Sequence, residues 1–201
     1  MTDPRDVHRT TPLVYTRNAT TWDAHRPRTL TEAPWLARLT AGLGPGDPVL
    51  DVGCGAGEPI AAWLVGRGFA VTGLDIAPSM VALCVERFPA HRWRVADMRG
   101  DLPEGPYAAI IAWDSFFHLA PSEQRETLPR LAASLRSGGR LVATVGPRAG
   151  EVLGSVAGES VYHSSLDPSE YERLLVDAGM SAVELALEDA ASGRTVLFAE
   201  R

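Results

Sequence analysis

Short apolar runs alternate with stretches of helical character along most of the chain. Strands that alternate with helices at this spacing are typical of a parallel sheet with right-handed crossovers. The run at 108–113 is continuously apolar, which predicts a strand buried on both faces. The five predicted strands of this sheet are Val49–Val52, Ala70–Leu74, Trp93–Ala96, Ala108–Trp113 and Arg140–Val145.

The segments between the strands carry helix signals. A helix is predicted from about Thr31, because Pro34 falls in its first turn, where the missing N–H costs nothing. Further helices are predicted from Pro59, over Ser79–Arg87 and over Glu123–Arg136. Pro129 interrupts the last of these, which predicts either a kink or two short helices.

The two ends of the chain depart from this alternation. A helix over Pro168–Gly179 precedes two apolar segments, Ala182–Leu187 and Thr195–Ala199, which are joined by a turn at 192–193. Two strands joined by so short a loop pair in antiparallel fashion. The first dozen residues are polar and are predicted to fray. The fold prediction is therefore α/β: a doubly wound, mostly parallel, seven-stranded sheet that ends in an antiparallel hairpin.

The amino-acid composition excludes several classes of enzyme chemistry. The chain has 201 residues, a formal net charge of −6 and 19 basic residues, every one of which is arginine. Without lysine there is no phosphate-loop lysine, no Schiff-base lysine and no Tyr-x-x-x-Lys dehydrogenase pair. The acidic balance argues against a nucleic-acid partner, because such a partner requires a basic face.

The N-terminal residues and the two cysteines indicate the cellular location of the protein. The N-terminal residues lack the apolar core of a secretory signal, and no apolar run is long enough to cross a bilayer. Cys54 and Cys84 could pair, but they lack metal-type spacing and are expected to be small buried hydrophobic residues. We therefore expect a cytoplasmic protein with no membrane partner and no metal.

A glycine-rich turn, Gly53-Cys-Gly-Ala-Gly57, follows the first predicted strand. Its glycines at 53, 55 and 57 allow the backbone to approach a ligand closely, because a side chain there would collide with it. Such turns serve NAD, FAD, ATP or S-adenosylmethionine. Asp51 lies two residues before the first glycine, where a dinucleotide site usually has an apolar residue. Its carboxylate is expected to hold an ammonium or to order the loop.

Carboxylates also end the next two strands. Asp75 ends the second, 22 residues after Gly53, and a carboxylate there can accept both hydroxyls of a ribose. Asp97 ends the third strand, beside Met98. Because the carboxyl ends of parallel strands share one edge of the sheet, Asp51, Asp75 and Asp97 are expected to face one crevice.

Four segments together resemble the successive motifs of the class I S-adenosylmethionine-dependent methyltransferases. They are Val49–Gly57, Gly73–Met80, Ala96–Met98 and Leu135–Leu141. The resemblance covers roughly residues 31–201, which we interpret as a single domain. It implies a Rossmann-like methyltransferase fold, whose sheet ends with an inserted antiparallel strand.

The resemblance also implies roles for individual residues. The glycine turn would approach the methionine part and the ribose, and Asp75 would bind the ribose hydroxyls. Ile76 and Met98 would enclose the adenine, and Asp97 would accept from its amine. The cofactor-binding residues implied are Tyr15, Trp22, Arg26, Asp51, Gly53, Gly55, Asp75, Ile76, Met80, Asp97, Met98 and Trp113.

The segment after the fourth strand is expected to lie beside the reacting atoms. Asp114 and His118 are titratable groups four residues apart, which makes them catalytic candidates. The string Asp-Ser-Phe-Phe-His-Leu is similar to the Asn-Ser-Phe-x-His-Leu segment of the glycine N-methyltransferase group. Aspartate in place of that asparagine makes glycine doubtful as acceptor and favours a cationic or hydrogen-bond-donating acceptor.

The N-terminal segment, residues 1–30, is expected to cap the site. The glycine N-methyltransferase group carries a Tyr, a Trp and an Arg that close over the cofactor, and Tyr15, Trp22 and Arg26 are similar in order. An arginine suits a bidentate grip on the methionine carboxylate. Arg17 and Arg28 are alternatives to Arg26. A plain surface helix packed on the domain is the other interpretation.

After the fifth strand, residues 146–165 contain several glycines and then Tyr162-His163. This stretch is either a wall of the substrate site, with His163 as a further catalytic candidate, or a plain crossover with an edge strand.

Together these features predict an S-adenosylmethionine-dependent methyltransferase that acts on a small-molecule acceptor by in-line transfer to nitrogen or oxygen. The expected assembly is a monomer or homodimer. The alternatives are a nucleotide-dependent oxidoreductase and a non-catalytic S-adenosylmethionine-binding regulatory module.

Overall fold

The computed structural model describes residues 3–100 and 102–201, so segment 1–30 is described from Asp3 onwards. The helices are α1 (Pro4–His25), α2 (Ala33–Leu39), α3 (Ile60–Val65), α4 (Pro78–Arg87), α5 (Pro121–Ala133) and α6 (Pro168–Asp177). The strands are β1 (Pro48–Val52), β2 (Ala70–Asp75), β3 (Arg92–Val95), β4 (Tyr107–Ala112), β5 (Leu135–Val145), β6 (Gly150–Val156), β7 (Glu159–Ser165), β8 (Ala182–Ala186) and β9 (Thr195–Glu200).

Seven of the described strands form one sheet in the order β3-β2-β1-β4-β5-β9-β8. Strands β1 to β5 are parallel, and β9 pairs antiparallel with both β5 and β8. This confirms the predicted doubly wound, mostly parallel sheet with a terminal antiparallel hairpin. The strand order reverses between β1 and β4, and the carboxyl edge at such a reversal is where open α/β sheets bind ligands.

The central strands are buried because they are covered on both faces. All six residues of β4 are buried, as its continuous apolar run predicted. On β1 the side chains alternate: Leu50 joins the core formed with α5 and α6, whereas Val49 joins the core formed with α2 and α3. Each such fully buried aliphatic side chain stabilises the fold by about 1.5–3 kcal/mol.

For residues 3–12 the prediction that the first dozen residues fray is wrong; residues 1 and 2 lie outside the described residues. Helix α1 begins at Pro4, and the carboxylate of Asp3 accepts a hydrogen bond from the Arg5 backbone N–H at 2.8 Å. Val7 and Val14 lie on the inward face and are only 4% and 2% exposed. The helix is therefore held by burial of a few apolar residues in an otherwise polar sequence.

Two further boundaries differ from the predictions. Pro129 neither breaks nor divides α5, which continues to Ala133. Strand β5 begins at Leu135, five residues earlier than predicted, because Leu135 pairs with Tyr107 ahead of a register irregularity. Such an irregularity places extra residues of β5 between two consecutive pairs with β4. The local apolar pattern does not reveal these extra residues.

Residues 150–165 form an antiparallel hairpin of β6 and β7, separate from the main sheet. This hairpin packs against α1: the Tyr162 backbone N–H donates to Thr11 Oγ1 at 3.0 Å, and Asn18 Nδ2 donates to Glu159 Oε1 at 2.7 Å. Helix α1 and the hairpin thus lie together over the carboxyl edge of the sheet. None of the helices in the described ranges has the length and apolar character needed to cross a membrane.

Candidate active site

A cavity of about 300 Å³ lies at the carboxyl ends of β1 to β4, beneath α1. All twelve residues predicted to bind the cofactor line it, and so do Asp114 and His118. His163 does not. The twelve are Tyr15, Trp22, Arg26, Asp51, Gly53, Gly55, Asp75, Ile76, Met80, Asp97, Met98 and Trp113.

The glycine turn after β1 forms the floor of this cavity. Gly53 has φ +73°, and a Cβ on it would lie 2.3 Å from the Ser115 Cβ, so only glycine fits. Gly55 also lines the cavity and faces the ring of Trp22. The expectation that Gly57 approaches a ligand is wrong, because a Cβ there would instead meet the ring of Phe88 at 2.9 Å. Gly57 serves the packing of the turn on α4.

Two carboxylates lie close together at the ends of β1 and β2. Asp75 accepts backbone hydrogen bonds from Gly55 at 2.9 Å and from Ala77 at 2.8 Å, which fix the glycine turn. Asp51 is buried, and burial together with the nearby charge of Asp75 raises its pKa to about 7. An arriving cation would favour the ionised form of Asp51.

The far end of the cavity is lined by an apolar pair and an ion pair. Ile76 is 38% exposed, and Met98 is partly buried. The Asp97 carboxylate receives hydrogen bonds from the backbone N–H and guanidinium of Arg99, whose Nη1 also donates to Glu123 at 2.7 Å. Asp97 therefore has a fixed orientation, with part of its acceptor capacity already used.

His118 is held at both ring nitrogens. Its Nδ1 lies 2.8 Å from the Tyr162 carbonyl oxygen, and its Nε2 lies 3.0 Å from the Tyr15 hydroxyl. Burial lowers the pKa of His118 to about 4, so the ring is neutral. A carbonyl only accepts, so the proton of the neutral ring must lie on Nδ1 and Tyr15 must donate to Nε2.

Asp114 lies just beyond β4 with φ +51°, and both of its oxygens face arginines. Arg194 donates from Nε to Oδ1 at 2.8 Å and from Nη2 to Oδ2 at 3.2 Å. Arg26 Nη1 lies 3.5 Å from Oδ2. The carboxylate is thus already compensated, which removes the reason for expecting a cationic acceptor at Asp114.

The three candidate arginines of the N-terminal segment have different environments. Arg17 pairs with Glu159 of β7 at 2.5 Å, and Arg28 pairs with Asp23 at 3.0 Å; neither lines the cavity. Arg26 does line it, with its guanidinium 5.0 Å from the centre of the Trp22 ring. The geometry therefore favours Arg26 over the two alternatives.

A second cavity, of about 600 Å³, adjoins the first on the side of the hairpin. The two share a wall of four residues: Tyr15, Trp22, Arg26 and Asp114. His163 lines the second cavity, with its ring centre 5.0 Å from that of His118. Burial lowers the pKa of His163, so this ring is also neutral at neutral pH.

Sequence reasoning missed two arginines of the second cavity, Arg148 and Arg194. Arg148 precedes the hairpin, and Arg194 lies in the turn before β9, 80 residues from its partner Asp114. Neither residue belongs to a motif, and only the antiparallel insertion of β9 beside β5 brings Arg194 to the site.

Comparison with known proteins identifies the family of the chain. A family model described as a methyltransferase domain matches residues 49–139. The chain is 32% identical over 181 residues to trans-aconitate 2-methyltransferase of Methylobacterium nodulans, covering 79% of this chain and 68% of that protein. It is 29% identical over 192 residues to malonyl-(acyl-carrier protein) O-methyltransferase of Paenibacillus sp., covering 82% and 68%.

A solved structure shows the same fold. The amino pentose methyltransferase CalS10 of Micromonospora echinaspora superposes with a TM-score of 0.71 at 21% identity, covering 92% of this chain and 96% of that one. The ordered motifs, the sheet topology and the identity to the trans-aconitate enzyme agree on one conclusion. The chain belongs to the class I S-adenosylmethionine-dependent methyltransferases.

Proposed function

We propose that this methyltransferase binds S-adenosylmethionine in the first cavity and a small-molecule acceptor in the second, with transfer to nitrogen or oxygen of the acceptor. The observation that carries the proposal is the shared wall of Tyr15, Trp22, Arg26 and Asp114. Two cavities that meet at one wall place two ligands side by side. Two of the relatives named above, trans-aconitate 2-methyltransferase and an amino pentose methyltransferase, have names that indicate small acceptors, which supports the proposal.

The residues of the first cavity fit the chemistry of S-adenosylmethionine. The Asp75 carboxylate, held by two backbone N–H groups, retains lone pairs for the ribose hydroxyls. Ile76 and Met98 offer apolar contact to the adenine. Arg26 suits the methionine carboxylate, and Asp51 suits the ammonium group.

When bound, the cofactor supplies a methyl group on a positively charged sulfur. The protein's contribution is then orientation, because in-line transfer requires the reacting atoms to be about 3–3.5 Å apart and collinear. Helix α1 excludes water from the shared wall. The Tyr15 hydroxyl, fixed by its hydrogen bond to His118, has one defined position there.

His163 is the group we propose for the acceptor's proton. An amine or hydroxyl acceptor must lose a proton during transfer. The ring of His163 is neutral at neutral pH and has no hydrogen-bond partner among the described residues, so one ring nitrogen is available to accept. His118 has no such capacity, since both of its nitrogens are engaged; it positions Tyr15. Asp114 likewise positions Arg26 and Arg194.

Calorimetry with the purified chain tests the cofactor assignment. S-adenosylhomocysteine should bind and NADH should not. Asp75→Ala should weaken S-adenosylhomocysteine binding by about tenfold or more, because a hydrogen bond to a charged group is lost. Asp177→Ala, at a 68% exposed carboxylate on α6, should leave binding unchanged. Equal effects of the two variants, with unfolding temperatures unchanged, would contradict the assignment.

The remaining parts of the proposal concern the whole protein. The chain spans about two thirds of the length of the trans-aconitate and malonyl relatives, so their substrates are not transferred to it directly.

We propose a cytoplasmic location and no nucleic-acid partner. The thiols of Cys54 and Cys84, which are buried and free with their sulfurs 3.9 Å apart, support a reducing compartment.

A further inference from the structure

The second cavity is lined by more positively charged than negatively charged side chains. Three guanidinium groups line it, those of Arg26, Arg148 and Arg194, against the one carboxylate that the described lining contains, that of Asp114. With His163 neutral, the wall carries a formal charge of +2. A cavity with low-dielectric walls and an excess of one sign concentrates ligands of the opposite sign.

The single carboxylate, that of Asp114, is not available to attract a positively charged ligand. Asp114 is 16% exposed, and its two oxygens already face Arg194 and Arg26. It therefore orients these two guanidinium groups and has no free oxygen with which to attract a cation. A cationic acceptor would meet the unpaired Arg148 and find no free carboxylate oxygen in the described lining, which is an unfavourable arrangement.

Arg148 is free to bind an anion. Its side chain is exposed at the mouth of the cavity, and it makes no ion pair within residues 3–100 and 102–201. The Arg194 guanidinium is 48% exposed and uses Nε and Nη2 on Asp114, which leaves Nη1 for a ligand. Planar guanidinium groups of this kind match the geometry of a carboxylate.

Much of the remaining wall is apolar, although Ser155, Ser164 and Ser165 also line it. Phe117 and three valines, Val152, Val156 and Val161, line the cavity on the side of the hairpin. Val152 is 63% exposed, and exposure of an apolar side chain to water does not stabilise the fold. A ligand with an apolar body would cover these side chains while its charged end faces the arginines.

We propose that the methyl acceptor is a small organic acid, whose carboxylate is bound by Arg148 and Arg194 and whose apolar body packs on the β6–β7 hairpin. The inference rests on the proposed function, because it assigns the acceptor to the second cavity. It replaces the cationic one of the two acceptor classes, cationic or hydrogen-bond-donating, that the sequence predicted from Asp114.

The test uses three probes of nearly equal size and different charge: phenylacetate, phenylacetamide and phenethylamine. Their binding to the full chain saturated with S-adenosylhomocysteine is measured by ligand-observed NMR. Phenylacetate should bind about tenfold more tightly than phenethylamine, because charge-assisted hydrogen bonds to guanidinium are among the strongest in proteins. Arg148→Gln should remove most of this preference, and Arg148→Glu should reverse it.

Arg173→Gln provides the matched control. Arg173 is a 61% exposed arginine of α6 that lines neither cavity, so its loss should leave phenylacetate binding unchanged. The proposal is overturned by tighter binding of phenethylamine, by equal effects of Arg148→Gln and Arg173→Gln, or by failure of all three probes to bind. Failure of S-adenosylhomocysteine itself to bind would instead refute the proposed function, and calorimetry reports that separately.

Discussion

The Tyr15 hydroxyl donates to Nε2 of His118 at 3.0 Å, and this hydrogen bond joins α1 to the segment after β4 across the cavity. His118 in turn donates from Nδ1 to the Tyr162 carbonyl of β7 at 2.8 Å. One imidazole therefore links the helix above the site, the hairpin beside it and the sheet below. Its two hydrogen bonds are satisfied only when the ring is neutral.

This link predicts the protonation state of His118. Because burial lowers its pKa to about 4, the ring should stay neutral with its proton on Nδ1 throughout the neutral range. The unfolded chain binds a second ring proton below about pH 6.5 and the folded chain binds it only near pH 4, so the free energy of unfolding should fall as pH drops from about 6.5 towards 4. Ring ¹⁵N chemical shifts report the tautomer, and thermal unfolding across pH reports the linkage. A His118 that titrates near 6.5 would refute the arrangement.

Removing the donor of this hydrogen bond should destabilise the fold. Tyr15→Phe leaves Nε2 of His118 without its partner, at a cost of about 1–3 kcal/mol in the free energy of unfolding. Tyr162→Phe is the matched control: the Tyr162 side chain is also buried, but its hydroxyl donates to Glu151, whose exposed carboxylate water can solvate, so the loss should cost less. Urea titration of the two variants measures the difference, and a smaller loss for Tyr15→Phe would count against the link.

The buried carboxyl of Asp51 predicts a proton release on ligand binding. Its pKa of about 7 means that it is mostly protonated at pH 6, whereas a ligand ammonium favours the ionised form. Affinity for S-adenosylhomocysteine should therefore rise between pH 6 and pH 8. Calorimetry in buffers of different ionisation enthalpy should detect the released proton.

Asp51→Asn should abolish both the pH dependence and the proton release. Between about pH 4 and 7 the folded wild-type chain holds a proton on Asp51 and the unfolded chain does not, so its free energy of unfolding should fall as pH rises through this range. Asp51→Asn should remove this pH dependence as well. An unchanged proton release in Asp51→Asn would assign it to another group.

The carboxyl-terminal end of α1 is fastened by Asp23, whose carboxylate accepts hydrogen bonds from Arg87 of α4 and from Arg28. The hydrogen bonds from Arg87 contribute most to lowering the pKa of Asp23 to about 2. Asp23→Asn should cost about 2 kcal/mol and raise hydrogen exchange in α1. In the wild type this contribution should be lost only as pH falls from about 4 to 2.

Asp6→Asn serves as the control on the same helix. The Asp6 side chain is 69% exposed and lies 3.7 Å from Arg9, so its neutralisation should have little effect on stability or exchange. The role assigned to Asp23 fails if the two variants exchange alike.

The glycine turn predicts a steric effect that can be separated from backbone strain. Gly53→Ala combines an unfavourable φ of +73° with a collision against Ser115, so it should abolish S-adenosylhomocysteine binding. Gly46→Ala has a similar φ of +86° but nothing within 4 Å of the new Cβ. It should cost only about 1 kcal/mol of stability and leave binding intact. Retained binding in Gly53→Ala would mean that the turn is not the floor of the cofactor site.

The sheet and the donor side of the site were predictable because their signals are local. Most strands of the sheet are apolar runs, and Asp51, Asp75 and Asp97 lie at or just beyond the ends of the first three strands. The first half of helix α1 was missed because its buried face consists of a few residues, Val7 and Val14 among them, and depends on packing against the domain.

The acceptor side was less predictable for two physical reasons. The β6–β7 turn uses Ala157 and Gly158 at φ +50° and +81°, and alanine is rarely found in that conformation, so the sequence lacked the usual hairpin signature. The pairing of Asp114 with Arg194 spans 80 residues and arises only from the register of β9. Without it, Asp114 appeared to be a free carboxylate.

The hairpin of β6 and β7 lies outside the stretch that the family model matches, residues 49–139, and so does α1. The family model thus matches the stretch that holds the glycine turn and the carboxylates Asp51, Asp75 and Asp97, whereas the segments that cover the cavities lie outside that match. Only four residues belong to both cavities, so a new hairpin could be grafted between β5 and α6 without rebuilding the glycine turn or its carboxylates. Under the proposed function, the segments around the second cavity, and with them the acceptor, can therefore be exchanged while the first cavity stays the same.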